Sequence, residues 1–329
     1  MNKLSVIMPF VNEWPQIAFT IRSIYEQLNG RIDFEIIAID NFCLEVEEQG
    51  RKPDRGHNHL DQNGNRQQGH IDAMSNKHKW LKVVKYYEKL SHWNSKNLGV
   101  RESTGDVLLF VDAHTIASDS ILVGMYRYFV RHSDYFSNGN NFTLHAPLAY
   151  HILENKPLIY KLVYEPEKGV VHYRFMNMPD NISTHNEVPC MSTCGMMMSR
   201  EYYDFINGWP EGLGIYGGGE NYLNFYSSIL GTKKFIYPYG ILYHHGDKRG
   251  YNWNWEDYHR NRMIATCMYG DNDMLLKYQQ SIGCNQLTDR MMRQAVRSCE
   301  IHRMGNKAED NKIKLIHDWV EEWENKDFR

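Results

Sequence analysis

The 329-residue chain has no run of 18 apolar residues, so no segment reads as a helix spanning a bilayer. Cysteine is scarce and unpatterned: six residues, at 43, 190, 194, 267, 284 and 299, with no Cys-x-x-Cys pair. The Cys190-x3-Cys194 spacing lies in a Met-rich apolar stretch. Buried free thiols in a reducing compartment are therefore expected, rather than a zinc site or a disulfide framework. An excess of one charge is also missing, because 37 Lys+Arg against 40 Asp+Glu leave a net charge of −3. That excludes a protein whose whole surface coats nucleic acid or anionic membrane, while a local basic groove remains compatible. There is no internal repeat and no low-complexity tract. The opening Met1-Asn2-Lys3-Leu4-Ser5-Val6-Ile7-Met8-Pro9 reaches Asn and Pro too early for a secretory signal and reads as a first strand. The expected compartment is the cytoplasm, and Asn141-Phe-Thr and Asn181-Ile-Ser are expected to be chance matches to the glycosylation pattern.

What is present is ordinary globular composition, 42% hydrophobic and 23% charged, with enough length for one large α/β domain or two small ones. Aromatic content of 13% suits a site that stacks on sugars or bases, and equally a packed core. The first 115 residues alternate strand and helix signals. Leu4–Pro9, Phe34–Ile39, Trp80–Tyr86 and Val107–Val111 read as strands. The apolar stripe Ile17, Ile21, Ile24, Leu28 and the segment Ser95–Ser103 read as helices. Nearly continuous apolar strands belong in a parallel sheet covered on both faces, with ligands bound beyond the C-terminal strand ends. Residues 43–79 are polar, lack apolar periodicity, and read as a long insertion in a βα connection, either a solvated loop or a closing flap. Further along, helices are expected over Ser199–Phe205 and near Asn221–Leu230, and strands near Lys234–Tyr237 and Ile241–Tyr243. The chain beyond Trp255 reads as helical, with Ile313, Ile316, Trp319, Val320 and Trp323 on one face of a docking helix.

Three constellations carry chemistry. In Asp112-Ala113-His114 a carboxylate and an imidazole two residues apart follow a buried strand and can share one divalent ion, although such a sequence also serves as a plain turn. In Gly217-Gly218-Gly219-Glu220-Asn221 the glycines allow close backbone approach at a helix start, where Glu220 can also act as a first-turn residue. In His244-His245-Gly246-Asp247-Lys248-Arg249 strand alternation lets only one of the two histidines face a site.

In this order the motifs resemble the GT-A-fold glycosyltransferases of the large family-2 type, over roughly residues 1–41 and 80–250. Val6-Ile7-Met8-Pro9-Phe10-Val11-Asn12-Glu13 resembles the opening strand and nucleotide-contacting turn. Ile36-Ile37-Ala38-Ile39-Asp40-Asn41 resembles the second strand, whose last Asp holds the base. Asn94-Ser-Lys-Asn-Leu-Gly99 with Gly105–His114 resembles the segment ending in the metal-binding Asp-x-Asp. Gly195–Arg200, Gly208-Trp-Pro-Glu and Gly218-Gly-Glu-Asn221 resemble the acceptor-side block. The second Asp is His114 here, a variant that resembles the polypeptide N-acetylgalactosaminyltransferases, as does Tyr216-Gly-Gly-Gly-Glu-Asn221; Pro238-x4-Tyr243-His244 then favours His244 over His245 as a later ligand.

The resemblance implies a mixed, mostly parallel sheet flanked by helices over residues 1–255, with a nucleotide-binding half 1–115, an acceptor-binding half 116–255, and a helical extension 256–329. It implies transfer of a sugar from a nucleotide-sugar donor, expected to be a UDP-sugar, to an acceptor hydroxyl. Asp112, His114 and His244 would hold the metal; one carboxylate and two imidazoles favour Mn²⁺ over Mg²⁺. Pro9, Asn12, Glu13, Asp40, Lys96, Asp112, Ala113, Lys248 and Arg249 are the implied donor-binding residues. Trp209, Tyr216, Gly218, Gly219 and Asn221 are implied on the acceptor side. Glu220 is the candidate base if configuration inverts, and an orienting group if it is retained. Three acceptors are compatible: a glycan, a protein Ser/Thr hydroxyl, or a hydroxymethylated pyrimidine in phage DNA. For DNA, Arg290, Arg293, Arg297 and Arg303 would track phosphates, the first three from one helical face. A different class, a GT-A domain that binds a sugar nucleotide without transfer, rests on the Asp-to-His change at 114.

Overall fold

The computed structural model describes residues 2–52, 69–118, 120–136, 142–150, 156–246, 250–310 and 314–324. Among these, a seven-stranded sheet has the order β11-β6-β10-β4-β1-β2-β3. Its strands are β1 (Leu4–Phe10), β2 (Phe34–Asp40), β3 (Leu81–Lys85), β4 (Val107–Phe110), β6 (Phe142–His145), β10 (Met196–Ser199) and β11 (Lys233–Ile236). β1 pairs in parallel with β2 and β4, β2 with β3, and β11 with β6, while β10 runs antiparallel between β4 and β6. The sheet is therefore mixed and mostly parallel, as the apolar runs imply.

Every residue of β1 is buried because helices cover both faces. Alternation sends Val6 and Met8 to one side, where Ile17, Ile21, Ile24 and Leu28 of the helix Gln16–Leu28 meet them. Ile7, Ile37 and Ile39 point to the other side, into the core with Trp93 and Val100 of the helix His92–Arg101. That helix comes close because Gly99 has no side chain, and a Cβ there would overlap Ile7 and Ile39.

Of a second, five-stranded sheet only one strand was expected, the one near Ile241–Tyr243. The order of this sheet is β5-β12-β7-β8-β9, with β5 (Thr115–Ala117), β7 (Leu148–Ala149), β8 (Leu158–Glu165), β9 (Val170–Asn177) and β12 (Leu242–His244). β8 and β9 form a hairpin around Pro166–Lys168, closed by Gly169 at φ +61°.

The polar stretch 43–79, read as a solvated loop or a closing flap, contains two short helices, Leu44–Glu48 and His70–Lys77. Each buries one apolar side chain, Val46 and Ile71, and a single anchor per helix leaves no period to read. Residues 53–68 of that insertion lie outside the described residues.

The C-terminal helices Trp255–Tyr269, Asn272–Ile282 and Gln286–Met304 start at Asn254, Asp271 and Asn285, whose side chains accept from their first-turn N–H groups. The final helix, Ile316–Glu324, buries Ile316, Trp319, Val320 and Trp323, while Ile313 lies outside the described residues. No described helix is long and apolar enough to cross a membrane.

At the sheet edge, Lys234 of β11 is fully buried, and its ammonium donates to Ser228 Oγ. Burial pushes it down to about 7 against the weak opposing pull of Cys190 and Glu187. Between that value and 10.5 the folded chain holds fewer protons than the unfolded one, so this residue makes stability rise with pH. Its destabilising contribution is greatest as pH falls through 7. Melting temperatures compared from pH 7 to 8.5 are expected to gain less with rising pH in Lys234→Met than in the parent chain.

Candidate active site

Beyond the C-terminal ends of β1 and β4 opens a cavity of about 430 Å³, the position at which such sheets bind ligands. Pro9, Phe10, Val11 and Glu13 form one wall, and Asp112, Ala113, His114 and His244 a second. The small sheet adds Tyr160, Tyr173 and Phe175; the glycine-rich turn adds Tyr216, Gly217, Gly218, Glu220 and Asn221.

Strand pairing assembles the metal-ligand candidates. Asp112 and His114 occupy the link from β4 to β5, and antiparallel pairing of β5 with β12 sets His244 opposite Thr115. His114 Nε2 lies 3.2 Å from His244 Nε2, which lies 3.0 Å from Asp112 Oδ2. Among the described residues these three alone form a cluster able to hold a metal, with their ligand atoms all within 4.8 Å of one another. Ligands bonded at about 2.1 Å to one ion and separated by 90–110° sit about 3.0–3.4 Å apart, so the His114–His244 and His244–Asp112 spacings fit a shared ion. A buried Asp112 Oδ1 accepts no hydrogen bond, and His92 Nε2 stands 3.6 Å from it. His245 contributes its backbone N–H to the His114 carbonyl at 2.9 Å, while the side chain of His244 faces Asp112. Burial would raise the Asp112 carboxyl, but the His244 hydrogen bond and the charges of His92 and Lys96 outweigh it and hold it well below its ordinary range. An ionised carboxylate with two imidazoles is a donor set that suits Mn²⁺.

The two other carboxylates of the cavity are held by the backbone. Glu13 accepts from the Val11 N–H at 2.5 Å, fixing the turn after β1. Burial pushes its carboxyl up to about 7, against the lowering effect of the Val11 and Asn12 amides. Glu220 Oε1 accepts from Thr193 N–H (2.9 Å), Ser192 Oγ (3.1 Å) and Thr193 Oγ1 (3.4 Å), and Oε2 accepts from the Tyr173 hydroxyl. These bonds clamp the glycine-rich turn to the stretch before β10 and to β9.

Several residues singled out from the sequence sit behind the cavity wall. Asp40 ends β2, is 1% exposed, and accepts from Phe42 N–H (3.2 Å) and Tyr87 Oη (3.0 Å); its neighbour Asn41 lines the cavity. Asn12 packs against Gly250, where a Cβ would overlap it. Lys96 is fully buried beneath the site rather than open to phosphates. Its ammonium donates to Thr193 Oγ1 at 3.2 Å and lies 5.0–5.9 Å from the ring centres of Trp93, Phe110 and Trp209. The cause is local: Ser91 caps the helix His92–Arg101, and the phase this sets points Lys96, on its second turn, into the core. Trp209 is likewise a core residue, 1% exposed, with Nε1 donating to the Gly219 carbonyl at 3.1 Å. It supports the glycine-rich turn from behind. Gly219 is required there because a Cβ would overlap the Trp93 ring. Lys248 and Arg249 lie outside the described residues.

The sequence reading missed the aromatic wall and the contribution of the C-terminal helices. Tyr173 and Phe175 alternate along β9, a two-residue period that would have marked an aromatic strand face. Tyr258 and Arg262 reach the cavity from the helix Trp255–Tyr269, so the first helix beyond the expected boundary at 255 helps build the site. Of the proposed DNA-facing arginines, Arg290 pairs with Glu256 at 2.9 Å and Arg303 donates to the Cys267 carbonyl at 2.8 Å.

Solved structures place this architecture. GalNAc-T7 with UDP, GalNAc and Mn²⁺ matches with a TM-score of 0.64 at 13% identity, over 98% of this chain and 56% of that one. The fold is that of the GT-A glycosyltransferases. The chain thus spans little more than half the length of that relative. S. aureus TarS 1–349 with UDP-GlcNAc matches at TM-score 0.49 and 12% identity, over 99% and 93% of the two chains. The mannosyltransferase PcManGT from Pyrobaculum calidifontis, with GDP-Man and Mn²⁺, matches at 0.48 and 13%, over 92% and 75%. No family model matches the chain, and no curated protein sequence is significantly similar to it.

Proposed function

We propose that this GT-A domain is a metal-dependent glycosyltransferase that moves a sugar from a nucleotide-sugar donor, of the uridine diphosphate class, to an acceptor hydroxyl. The observation that carries this reading is the convergence of Asp112, His114 and His244 at the end of β4, within the cavity where such sheets bind ligands. These three residues would hold a divalent ion, which supplies Lewis-acid stabilisation of the charge on the departing nucleotide diphosphate. The turn from Phe10 to Glu13, fixed by the Glu13–Val11 hydrogen bond, and Asn41 beside Asp40 form the end that takes the base. Tyr216, Gly218 and Asn221 line the acceptor end.

Glu220 is a positioning residue in this reading. Both of its oxygens already accept hydrogen bonds, so it fixes the turn against which the sugar lies and is poorly placed to take a proton from an acceptor. Of the four arginines assigned to DNA phosphates, Arg290 and Arg303 are engaged within the chain, so nothing in these two favours DNA over a glycan or protein hydroxyl as acceptor. The test is nucleotide release from a panel of nucleotide sugars with Mn²⁺, with and without candidate acceptors. Release from UDP-sugars that stops on chelation is expected. Tight nucleotide binding without release from any donor would instead make the chain a binding domain.

A further inference from the structure

Arg262 is the one described arginine that lines the cavity, and it arrives there from the helix Trp255–Tyr269. Its guanidinium is part-buried against the tyrosine rings of 258 and 278, 5.5 and 6.0 Å from their centres. Nη1 donates to Tyr258 Oη at 2.7 Å. A guanidinium carries five N–H donors and stays charged at any physiological pH, so one phenol leaves most of its capacity unused. Among the described residues no carboxylate forms an ion pair with it. The acidic groups of the same cavity are committed elsewhere: Glu13 to Val11, Asp112 to His244, and Glu220 to Ser192, Thr193 and Tyr173. Taking a charge out of water without a partner is costly, and an arrangement that keeps one facing a cavity is suited to a ligand of opposite sign.

The position of Arg262 is also fixed. A Cβ on Gly218 would overlap the Asn261 carbonyl and the Arg262 amide, and one on Gly217 would overlap the Tyr258 ring, so the helix lies directly on the glycine-rich turn. Asn261 ties the two together, accepting from Gly214 N–H at 3.0 Å and donating to the Tyr216 carbonyl at 2.8 Å. Arg262 therefore stands on the Tyr216–Gly218 wall, whereas the metal-ligand cluster is carried by the ends of β4 and β12.

We propose that Arg262 forms an oxyanion-binding subsite on the acceptor side, so that the molecule presenting its hydroxyl carries a phosphate or carboxylate group. The oxyanion subsite stands on the geometry above; its assignment to the acceptor rests on the glycosyltransferase reading. A planar, pre-positioned guanidinium matches both groups through paired N–H donors.

The test follows the Arg262 side-chain Nε–H signal by nuclear magnetic resonance, assigned through its loss in Arg262→Lys while the other arginine signals persist. Inorganic phosphate and acetate are titrated in separate arms against chloride at matched ionic strength, first alone and then with UDP and the diamagnetic ion Mg²⁺ present. A saturable shift with phosphate or acetate, half-complete at about 1–10 mM and retained with UDP and Mg²⁺, is expected. The arm that responds identifies which oxyanion is preferred. A response no larger than that to chloride overturns the subsite. A phosphate response abolished by UDP and Mg²⁺ overturns its acceptor assignment and gives Arg262 to the donor diphosphate. Failure of UDP to bind would count against the glycosyltransferase reading and remove the acceptor assignment, while the titrations without nucleotide still decide whether an oxyanion subsite exists.

Discussion

Asp112→Ala is expected to lower Mn²⁺-dependent nucleotide release by at least about 10²-fold, the scale lost when one electrostatic stabiliser leaves an active site. Asp112 supplies the only carboxylate of the candidate metal cluster, and its carboxyl is held well below its ordinary range, so it is ionised throughout the working pH. Without it, two imidazoles 3.2 Å apart remain, nitrogen donors with little hold on a hard divalent ion. His244→Ala is expected to cost a similar factor. The double variant should lose little more than either single one, because both residues serve one ion and their effects cannot add. The rates are to be measured at saturating donor over a range of Mn²⁺ concentrations, with thermal melts confirming that each variant folds. Additive losses in the double variant would mean that the two residues act separately.

Glu220→Ala is expected to lower stability by about 2–5 kcal/mol, since it strands the Thr193 amide, the Ser192 hydroxyl and the Tyr173 hydroxyl, each worth about 1–3 kcal/mol when left unsatisfied. Ser192 and Thr193 are themselves buried, so water does not readily replace the lost acceptor. Glu220→Gln keeps an acceptor at Oε1 and is expected to lose less than half as much. Denaturant midpoints compare the three proteins. The same pair separates two roles: a positioning residue lets the glutamine variant keep a substantial part of its transfer activity. A general base loses nearly all transfer in Glu220→Gln while stability hardly changes.

The parallel half of the fold was legible because strands buried on both faces are written as apolar runs, as in Ile36–Ile39 and Val107–Phe110. The metal-ligand candidates were legible for a related reason: Asp112 and His114 follow such a strand directly. Of the small sheet only β12 was, as the strand expected near Ile241–Tyr243. β5 and β7 are two to three residues long, too short for any period, yet the pairing of β5 with β12 is what carries His244 to Asp112. Lys96 shows the opposite failure, in which a charged residue suggested surface chemistry but helix phase turned it into the core beneath Trp93 and Trp209. Arg262 carried no signal in the sequence. Its neighbours Asp257, Arg260 and Asn261 make an ordinary polar helix, and only the docking of that helix on Gly217 and Gly218 brings one arginine into the cavity.

The most direct test of the central claim, that Asp112, His114 and His244 form a divalent-metal centre for a nucleotide diphosphate, is an electron paramagnetic resonance titration of Mn²⁺ with and without UDP. One bound Mn²⁺ per chain is predicted, tightened by UDP and lost in His244→Ala. Mn²⁺ binding that is indifferent to UDP, or that survives unchanged in both His244→Ala and Asp112→Ala, would contradict it.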